Sequence, residues 1–385
     1  MNDNQLSMIG IQHPVIHFAA IDIALIVLYF ISVLFIGFRA VRKRKSGADD
    51  YILASRTLTL PIFVATLVST WHGKILGIGE HAYRLGLSNW IIFGVPYYFF
   101  IIVFALFLAK KIRATNLCTI PDKLEYAYDK RTAIAGGILT FFLATPAAYI
   151  LMLGILAQLI FDINLTLCII ITTLLTIVYL YKGGFRSNVW VNAFEFIMMF
   201  IGFTLIIIFS YLKFGGIDFI RTHIPPQRLT LYGGNSIEYI AVWFFIALWI
   251  IVDPVFHQRC YAAKDSATAQ RSIVVSLLFW FVFDFMTTTT ALYARASLPQ
   301  LSQPMYSYPL LAEVTLPAVA KGASNGLLRQ GLLCCIKSAE ICACAWATCE
   351  STWRGTRRSL PTGPRTNAPM TAVPMKSQMA SQNRR

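Results

Sequence analysis

Residues 60–79, LPIFVATLVSTWHGKILGIG, form an apolar run with three glycines, Gly73, Gly77 and Gly79, in its second half. About 20 mainly apolar residues are needed to span a bilayer as a helix. An interruption inside such a helix frees backbone groups, which must then be satisfied in a protein cavity or by an ion. The run therefore predicts an interrupted membrane helix, with ordinary glycine packing between helices as the alternative.

The composition of the whole chain is that of a membrane protein. Of its 385 residues, 57% are hydrophobic and only 13% are charged, and a soluble globule cannot bury that much apolar surface. This class also excludes nucleic-acid binding as the reason for the formal charge of +15. The apolar runs have lengths typical of helices rather than barrel strands. They lie near residues 17–38, 60–79, 91–109, 133–160, 164–181, 189–212, 237–256 and 272–294. We predict an all-α, polytopic membrane helical bundle.

The distribution of basic residues predicts how the bundle is oriented. If the N-terminus lies outside, the inside segments up to Arg271 carry 17 Lys and Arg and the outside segments carry 5. Because cytoplasmic loops are enriched in these residues, the N-terminus is predicted to be external. No Lys or Arg precedes Arg39 and no cleavage motif follows a short apolar core, so no signal peptide is predicted.

A second interruption is predicted at Asp253-Pro254, near the inner end of the seventh run. Broken helices in corresponding halves of a sequence are typical of transporters built from inverted repeats. On this interpretation the first run is an extra helix, runs two to six form a five-helix repeat, and run seven begins a second repeat.

Ionisable side chains within the apolar runs are default candidates for function, since a charge at the bilayer centre costs about 3 kcal/mol on insertion scales. Asp22 and Asp253 lie near span ends, where interfacial water can solvate them. Lys74, Glu195 and Asp284 lie deeper, and the sequence leaves open which of them pair with one another. A lysine beside a helix break can also take an ion's place with its own ammonium group.

The sequence contains none of the usual patterns for catalysis or metal binding. The cysteines form no paired CxxC motifs, Gly183-Gly184 is not followed by the residues of a phosphate-binding loop, and there is no nucleophile elbow. We therefore expect neither an enzyme nor a resident metal or cofactor.

Four stretches occur in an order and at a spacing that together resemble the sodium:solute symporter family, which includes sodium-coupled carriers of proline, sugars and pantothenate. They are residues 49–56 (DDYILASR), 77–86 (GIGEHAYRLG), 181–195 (YKGGFRSNVWVNAFE) and 253–265 (DPVFHQRCYAAKD). The signature positions among them are Arg56, Gly183, Gly184, Trp190, Asp253, Pro254, Gln258 and Arg259.

The resemblance implies a leucine-transporter-like inverted repeat with an additional N-terminal helix. It also implies a secondary active transporter in the plasma membrane, or the inner membrane of a bacterium, that couples symport of a small solute to sodium by alternating access. In this family, carbonyl oxygens of the first broken helix and Ser or Thr hydroxyls of the eighth core helix hold sodium. Val68, Trp71 and Ser338 are the corresponding positions here.

One departure from the family pattern concerns the ion path. The family motif T-D-x-x-Q reads Val191-Asn192-x-x-Glu195 here, so an amide replaces the aspartate and an acid follows three residues later. Residues three apart share a helix face, so the negative charge is expected to be kept but displaced. Asn192 and Glu195 are ion-binding candidates on this basis, and coupling to protons or to no ion stays open.

The candidates for the solute cavity are aromatic or charged residues in or near the two interrupted runs. These are His72, Lys74, Trp243 and Trp249, and for the aromatics ordinary helix packing is the alternative.

The C-terminal part departs further from the family. Residues 1–321 are predicted to form the transporter domain, residues 322–346 a degraded remnant of another core helix, and residues 347–385 a disordered basic tail. Within 331–340, GLLCCIKSAE, only Ser338 matches the ion motif, so the second repeat is predicted to be incomplete. Two alternatives follow: a non-functional truncated or frame-shifted family member, and a membrane sensor that binds without transporting.

Overall fold

The computed structural model describes residues 20–42, 48–145, 147–161 and 163–316. Ser338 and the predicted segments 322–346 and 347–385 lie outside the described residues. Within the described ranges the chain is helical, and its β-structure consists of an isolated parallel bridge between Leu58 and Ala263. The all-α prediction is confirmed for this part of the chain.

The helices are numbered here in chain order. The first half contains α1 Ala20–Arg42, α2 Ala48–Leu53, α3 Leu60–Trp71, α4 Ile75–Leu85, α5 Val95–Val103, α6 Lys110–Ala114, α7 Ile120–Ala127, α8 Lys130–Leu143 and α9 Ala147–Phe161. The second half contains α10 Leu165–Phe214, α11 Ile217–His223, α12 Ile237–Ala247, α13 Pro254–Ala262, α14 Ser266–Ser297 and α15 Ser307–Thr315.

The described residues provide six segments that are long and apolar enough to cross a membrane. They are Leu60–Leu85, Trp90–Ala114, Lys130–Leu159, Gly183–Phe214, Ile237–Ala262 and Ser266–Ser297. The 23-residue helix α1 precedes them. The chain is therefore a multi-pass membrane protein.

The interruption of the first of these spans is shorter than its glycine content predicts. Helix α3 ends at Trp71, residues His72–Lys74 form a 3-10 turn, and α4 begins at Ile75. Gly79 lies inside α4, where a β-carbon would come within 2.8 Å of the Tyr308 ring. The break thus uses one of the three glycines, and Gly79 instead permits close packing of α4 on α15.

The second interrupted span breaks where the sequence places Asp253-Pro254. Helix α12 tightens into a 3-10 segment, Leu248–Val252, and Asp253 is extended. The Asp253 carboxylate accepts a hydrogen bond from the Val255 backbone N–H at 2.8 Å and so caps α13. Proline at the first position of a helix needs no N–H partner, so this dipeptide ends one helical segment and starts the next.

The predicted fifth and sixth runs are separate helical segments that meet at Gly184. Both lie within α10, Leu165–Phe214, which is interrupted at Gly184, whose φ of 54° and ψ of −154° are non-helical. A β-carbon at Gly184 would lie 2.6 Å from the Tyr51 carbonyl oxygen. The chain therefore changes direction at a single residue, and glycine is required both by the backbone conformation and by the contact with α2.

Aromatic side chains fill the centre of the bundle, where α14 packs against α3 and α10. Phe63, Phe203, Phe256, Trp280 and Phe283 are each at most 1% exposed and belong to one apolar core. This core surrounds the interruption at His72–Lys74 and fixes its position in the bundle.

Substitution of Gly184 tests the junction in α10. Gly184→Ala is expected to lower the apparent Tm of the purified protein, because non-glycine residues in this backbone region cost about 1–3 kcal/mol and the new methyl group also meets the Tyr51 carbonyl. Gly215→Ala is the matched control: Gly215 has a φ of 94° but nothing within 4 Å of its β-carbon position. Equal Tm losses in the two variants would contradict the assigned contact.

Candidate functional site

The interruptions of the two broken spans lie near each other inside the bundle. One turn before Lys74, the Trp71 ring contacts Phe256 of α13 at a centroid distance of 5.8 Å and Tyr97 of α5 at 5.3 Å. The end of α3 and the start of α13, which flank the two interruptions, therefore pack against each other.

Asp253 is held within this region by two hydrogen bonds. One carboxylate oxygen accepts from the Val255 N–H, and the other accepts from Trp249 Nε1 at 3.1 Å. The residue is 5% exposed, so it does not reach interfacial water as its place in the sequence predicted. The structure brings Trp249 to the second interruption, whereas Trp243 packs elsewhere, against the rings of His81 and Phe93.

Asp284 pairs with His72, which was not among the charged residues considered as its partners from the sequence. His72 is buried, its Nε2 lies 3.1 Å from Asp284 Oδ1, and its Nδ1 lies 3.2 Å from the Val68 carbonyl oxygen. The Tyr98 hydroxyl donates to the other oxygen of Asp284. These contacts tie the break in the first span to α14 and α5. His72 is thereby engaged in the frame of the bundle rather than free in a cavity.

The predicted sodium-binding carbonyls lie at the end of α3. The Val68 carbonyl accepts the backbone N–H of His72, which caps the helix, and also faces the His72 ring. Trp71 is the last residue of α3, and its ring is enclosed by Tyr97, Phe256 and Trp280. Both positions thus lie at the first interruption, as the family resemblance implies.

Asn192 belongs to a buried polar cluster that includes two threonines of α3. Its Nδ2 lies 3.0 Å from Thr66 Oγ1, 3.1 Å from Thr70 Oγ1 and 2.5 Å from Asn188 Oδ1, all within hydrogen-bond distance. Thr66 and Thr70 are one turn apart on the helix, so they present both hydroxyls to one neighbour. That spacing is visible in the sequence, although nothing there distinguishes it from packing.

The same two threonines bind the guanidinium of Arg259. Its Nη2 donates to Thr66 Oγ1 at 3.2 Å and to Thr70 Oγ1 at 2.5 Å, and the side chain is fully buried. Within the described residues Arg259 has no carboxylate at salt-bridge distance, and its Nε and the Asn192 Oδ1 have no hydrogen-bond partner. A buried positive charge therefore lies beside the amide that replaces the family's aspartate.

Glu195 faces a different helix from Asn192. It is buried and accepts a hydrogen bond from the Tyr29 hydroxyl of α1 at 3.1 Å. At about 3.6 residues per turn, residues three apart differ by roughly 60° around the helix axis. Asn192 therefore points toward α3 while Glu195 points toward α1. The structure does not bring the displaced acid into the Thr66–Arg259 cluster.

The remaining signature residues connect segments near the start of α3 and the end of α13. Arg56 donates to the carbonyls of Asn116 at 2.8 Å and Leu117 at 3.3 Å, and Gln258 Nε2 donates to the Ile52 carbonyl at 3.3 Å. Gly183 directly precedes the break in α10, and Trp190 is 48% exposed. These residues position the broken helices and take no part in the polar centre.

A pair at this end was not singled out from the sequence. Arg186 forms a salt bridge with the buried Asp50 and donates to the Ala54 carbonyl at 3.2 Å. The backbone from Ala54 to Arg56 has positive φ at three consecutive non-glycine residues. The ion pair holds this unusual turn against α10 just before α3 begins.

The Asn192–Arg259 arrangement can be tested by restoring the acid. Asn192→Asp is expected to stabilise the protein, because a carboxylate beside a buried guanidinium supplies the missing counter-charge. A double-mutant cycle with Arg259→Gln, measured by equilibrium unfolding in mixed micelles, should give a coupling of about 1–3 kcal/mol. An Asn192→Asp effect of equal size in both backgrounds would show that the two side chains do not interact.

The His72–Asp284–Tyr98 contacts give a second prediction. Asp284→Ala should lower the apparent Tm, because the Tyr98 hydroxyl and His72 lose their acceptor, and an unsatisfied buried polar group costs about 1–3 kcal/mol. Asp284→Asn keeps an acceptor oxygen and should lose less. An Asp284→Ala protein as stable as the parent would argue against this assignment.

The chain was compared with known proteins. A model of the sodium:solute symporter family matches residues 51–343. The sodium/pantothenate symporter of Haemophilus influenzae is 25% identical over 73% of this chain and 61% of its own length. The high-affinity choline transporter 1 of Drosophila melanogaster is 28% identical over 64% of this chain and 41% of its own length. The chain thus spans less than two thirds of these relatives.

The fold also has a solved counterpart. The substrate-bound, outward-open structure of a Na⁺-coupled sialic acid symporter superposes with a TM-score of 0.73 at 19% identity, covering 90% of this chain and 76% of the other. These comparisons do not favour a non-functional product or a sensor. They bear out the family inferred from the four motifs: the chain belongs to the sodium:solute symporter family.

Proposed function

We propose that this protein carries a small solute across the membrane together with sodium, by alternating access. The observation that carries the proposal is the contact between the two interrupted spans beside their breaks, where the Trp71 ring at the end of α3 packs on Phe256 of α13. Interrupted helices bring helix ends and backbone carbonyl oxygens to the middle of the membrane, where a solute and an ion can bind. Membership of the family supports the same conclusion.

The solute is placed between the two interruptions. The region is bordered by Trp71 and Lys74 from the first span, Tyr97 from the second, Tyr149 from the third, and Trp249 from the second interrupted span. Aromatic side chains offer apolar contact area and Lys74 offers a charge, which is the usual composition of a small-molecule site. Of the four cavity candidates, Lys74 and Trp249 fit this position best.

We place the coupling sodium at the carbonyl oxygens of Val68 and Trp71. The family pattern implies that the hydroxyl of Ser338 is a further ligand. Sodium is a hard cation and prefers oxygen ligands, which an unwound helix end supplies without burying a full carboxylate. Asn192 is a weaker candidate, since the Arg259 guanidinium already brings a positive charge to its two threonines. Glu195 is weaker still because it faces α1.

Hydrogen bonds beside the start of α3 join it to the end of α13. They support a state in which the solute pathway is closed at this end of the bundle. The Leu58 N–H donates to the Ala262 carbonyl at 3.1 Å, and the Lys264 N–H donates to Leu58 at 3.0 Å. Arg113 adds a hydrogen bond from Nε to the Ala263 carbonyl at 2.6 Å. Alternating access requires these links between the two broken spans to open. The distribution of Lys and Arg assigns this end of the bundle to the inside and the N-terminus to the outside of the plasma membrane.

Uptake into proteoliposomes tests the proposal. With the full chain reconstituted, an inward sodium gradient is expected to drive accumulation of a labelled probe from a panel of pantothenate, sialic acid, choline and glucose. Dissipating the gradient with a sodium ionophore should abolish accumulation, because symport draws its energy from the ion. Potassium at equal ionic strength is the control. Uptake that follows a proton gradient alone would overturn the choice of ion, and uptake that ignores every ion gradient would overturn symport.

A further inference from the structure

Lys74 occupies the middle of a membrane span. It lies 14 residues after Leu60 and 11 before Leu85, the ends of the first interrupted span. At about 1.5 Å per residue, that is roughly 16–21 Å from either end. The neighbouring residues His72, Gly73, Ile75 and Leu76 are buried, whereas Lys74 is exposed. A charged side chain at this depth must face a polar cavity rather than lipid.

The surroundings of Lys74 include a residue already placed beside the proposed solute region. Its Nζ lies 5.2 Å from the centroid of the Tyr149 ring in the third span. The ammonium therefore lies between the first and third spans, where the proposed function places the solute.

The ammonium of Lys74 has no counter-ion in contact with it. Among the described residues it forms no salt bridge and no hydrogen bond, and its close contact is the Tyr149 ring. Asp253 forms no salt bridge with Lys74, and its oxygens accept hydrogen bonds from the Val255 N–H and from Trp249 Nε1. A lysine with this much free hydrogen-bonding capacity in a low-dielectric site attracts a negative group from the ligand.

We infer that the solute is a small organic anion whose negative group binds Lys74. The inference rests on the proposed transport function for its site and adds the class of substrate. The rings of Trp71, Tyr97 and Tyr149 would contact the apolar part of the solute. A quaternary ammonium solute is disfavoured, because its charge would meet the Lys74 ammonium in a region screened little by water. The proposed class of solute therefore excludes choline, which is the solute in the name of one relative.

Binding and uptake with charge-altered variants test the inference. The full chain would be purified in detergent, and the rise in Tm measured with acetate, lactate, pantothenate and sialic acid as sodium salts, against choline chloride and glucose in equal sodium. At least one anion is expected to raise Tm. Lys74→Gln should weaken its apparent affinity roughly tenfold to a hundredfold, as expected for loss of a hydrogen bond to a charged group.

Two control variants distinguish the loss of the positive charge from a general effect on folding. Lys74→Arg keeps the positive charge and should stay within a few-fold of the parent, and Lys130→Gln, at the exposed start of α8, should leave the affinity unchanged. Equal anion binding by Lys74→Gln and the parent would overturn the inference and favour a lysine that stands in for the coupling ion. Stabilisation by choline or glucose, or by no probe at all, would overturn it as well.

The uptake assay keeps the two proposals distinguishable. Sodium-driven uptake of choline or glucose with no anion transported would sustain symport and refute the anionic solute. Lys74-dependent anion binding without uptake of that anion under any gradient would support the anion site and refute transport.

Discussion

The constraint on which the rest of this structure depends is that backbone polar groups inside a bilayer need partners within the protein. Each interrupted span meets it locally. At the first break the His72 N–H bonds to α3 carbonyls, and at the second Asp253 caps α13. Helices packed around the breaks, α14 above all, then keep lipid away from the exposed backbone. The aromatic core is the consequence, since Trp71, Phe256, Phe283 and Trp280 fill the volume beside the breaks.

Each buried charged side chain is stabilised by a different set of hydrogen-bond partners. Asp284 is bound by His72 and Tyr98, and Asp253 by its own helix and Trp249. Arg259 is surrounded by neutral oxygens of Thr66 and Thr70, which solvate a delocalised guanidinium but do not neutralise it. An anion at position 192 would supply that neutralisation, and the amide found there leaves the cluster positive. The proposed sodium site is therefore at the carbonyl oxygens at the end of α3 and not in this cluster.

Much of the fold follows from the sequence because length, hydropathy and helix-breaking residues act locally. The spans, the break at Asp253-Pro254 and the family motifs all depend on neighbouring residues. The direction in which a side chain points depends instead on which distant helix packs against it. Asn192 and Glu195 look equivalent along the chain, yet one meets α3 and the other α1. Thr66 and Thr70 carry no signal of their own, and their role becomes visible only when Arg259 is placed beside them.

Depth in the membrane is therefore a weak guide to function unless the partners are known. Lys74, Glu195 and Asp284 all lie inside apolar runs of the sequence, and depth alone makes each of them a candidate for function. The structure gives Glu195 a tyrosine and Asp284 a histidine and a tyrosine, so these acids stabilise contacts between helices. Among the described residues, Lys74 contacts the face of the Tyr149 ring and forms no salt bridge. A charge that the fold does not satisfy remains available to a ligand, and its sign limits what that ligand can be.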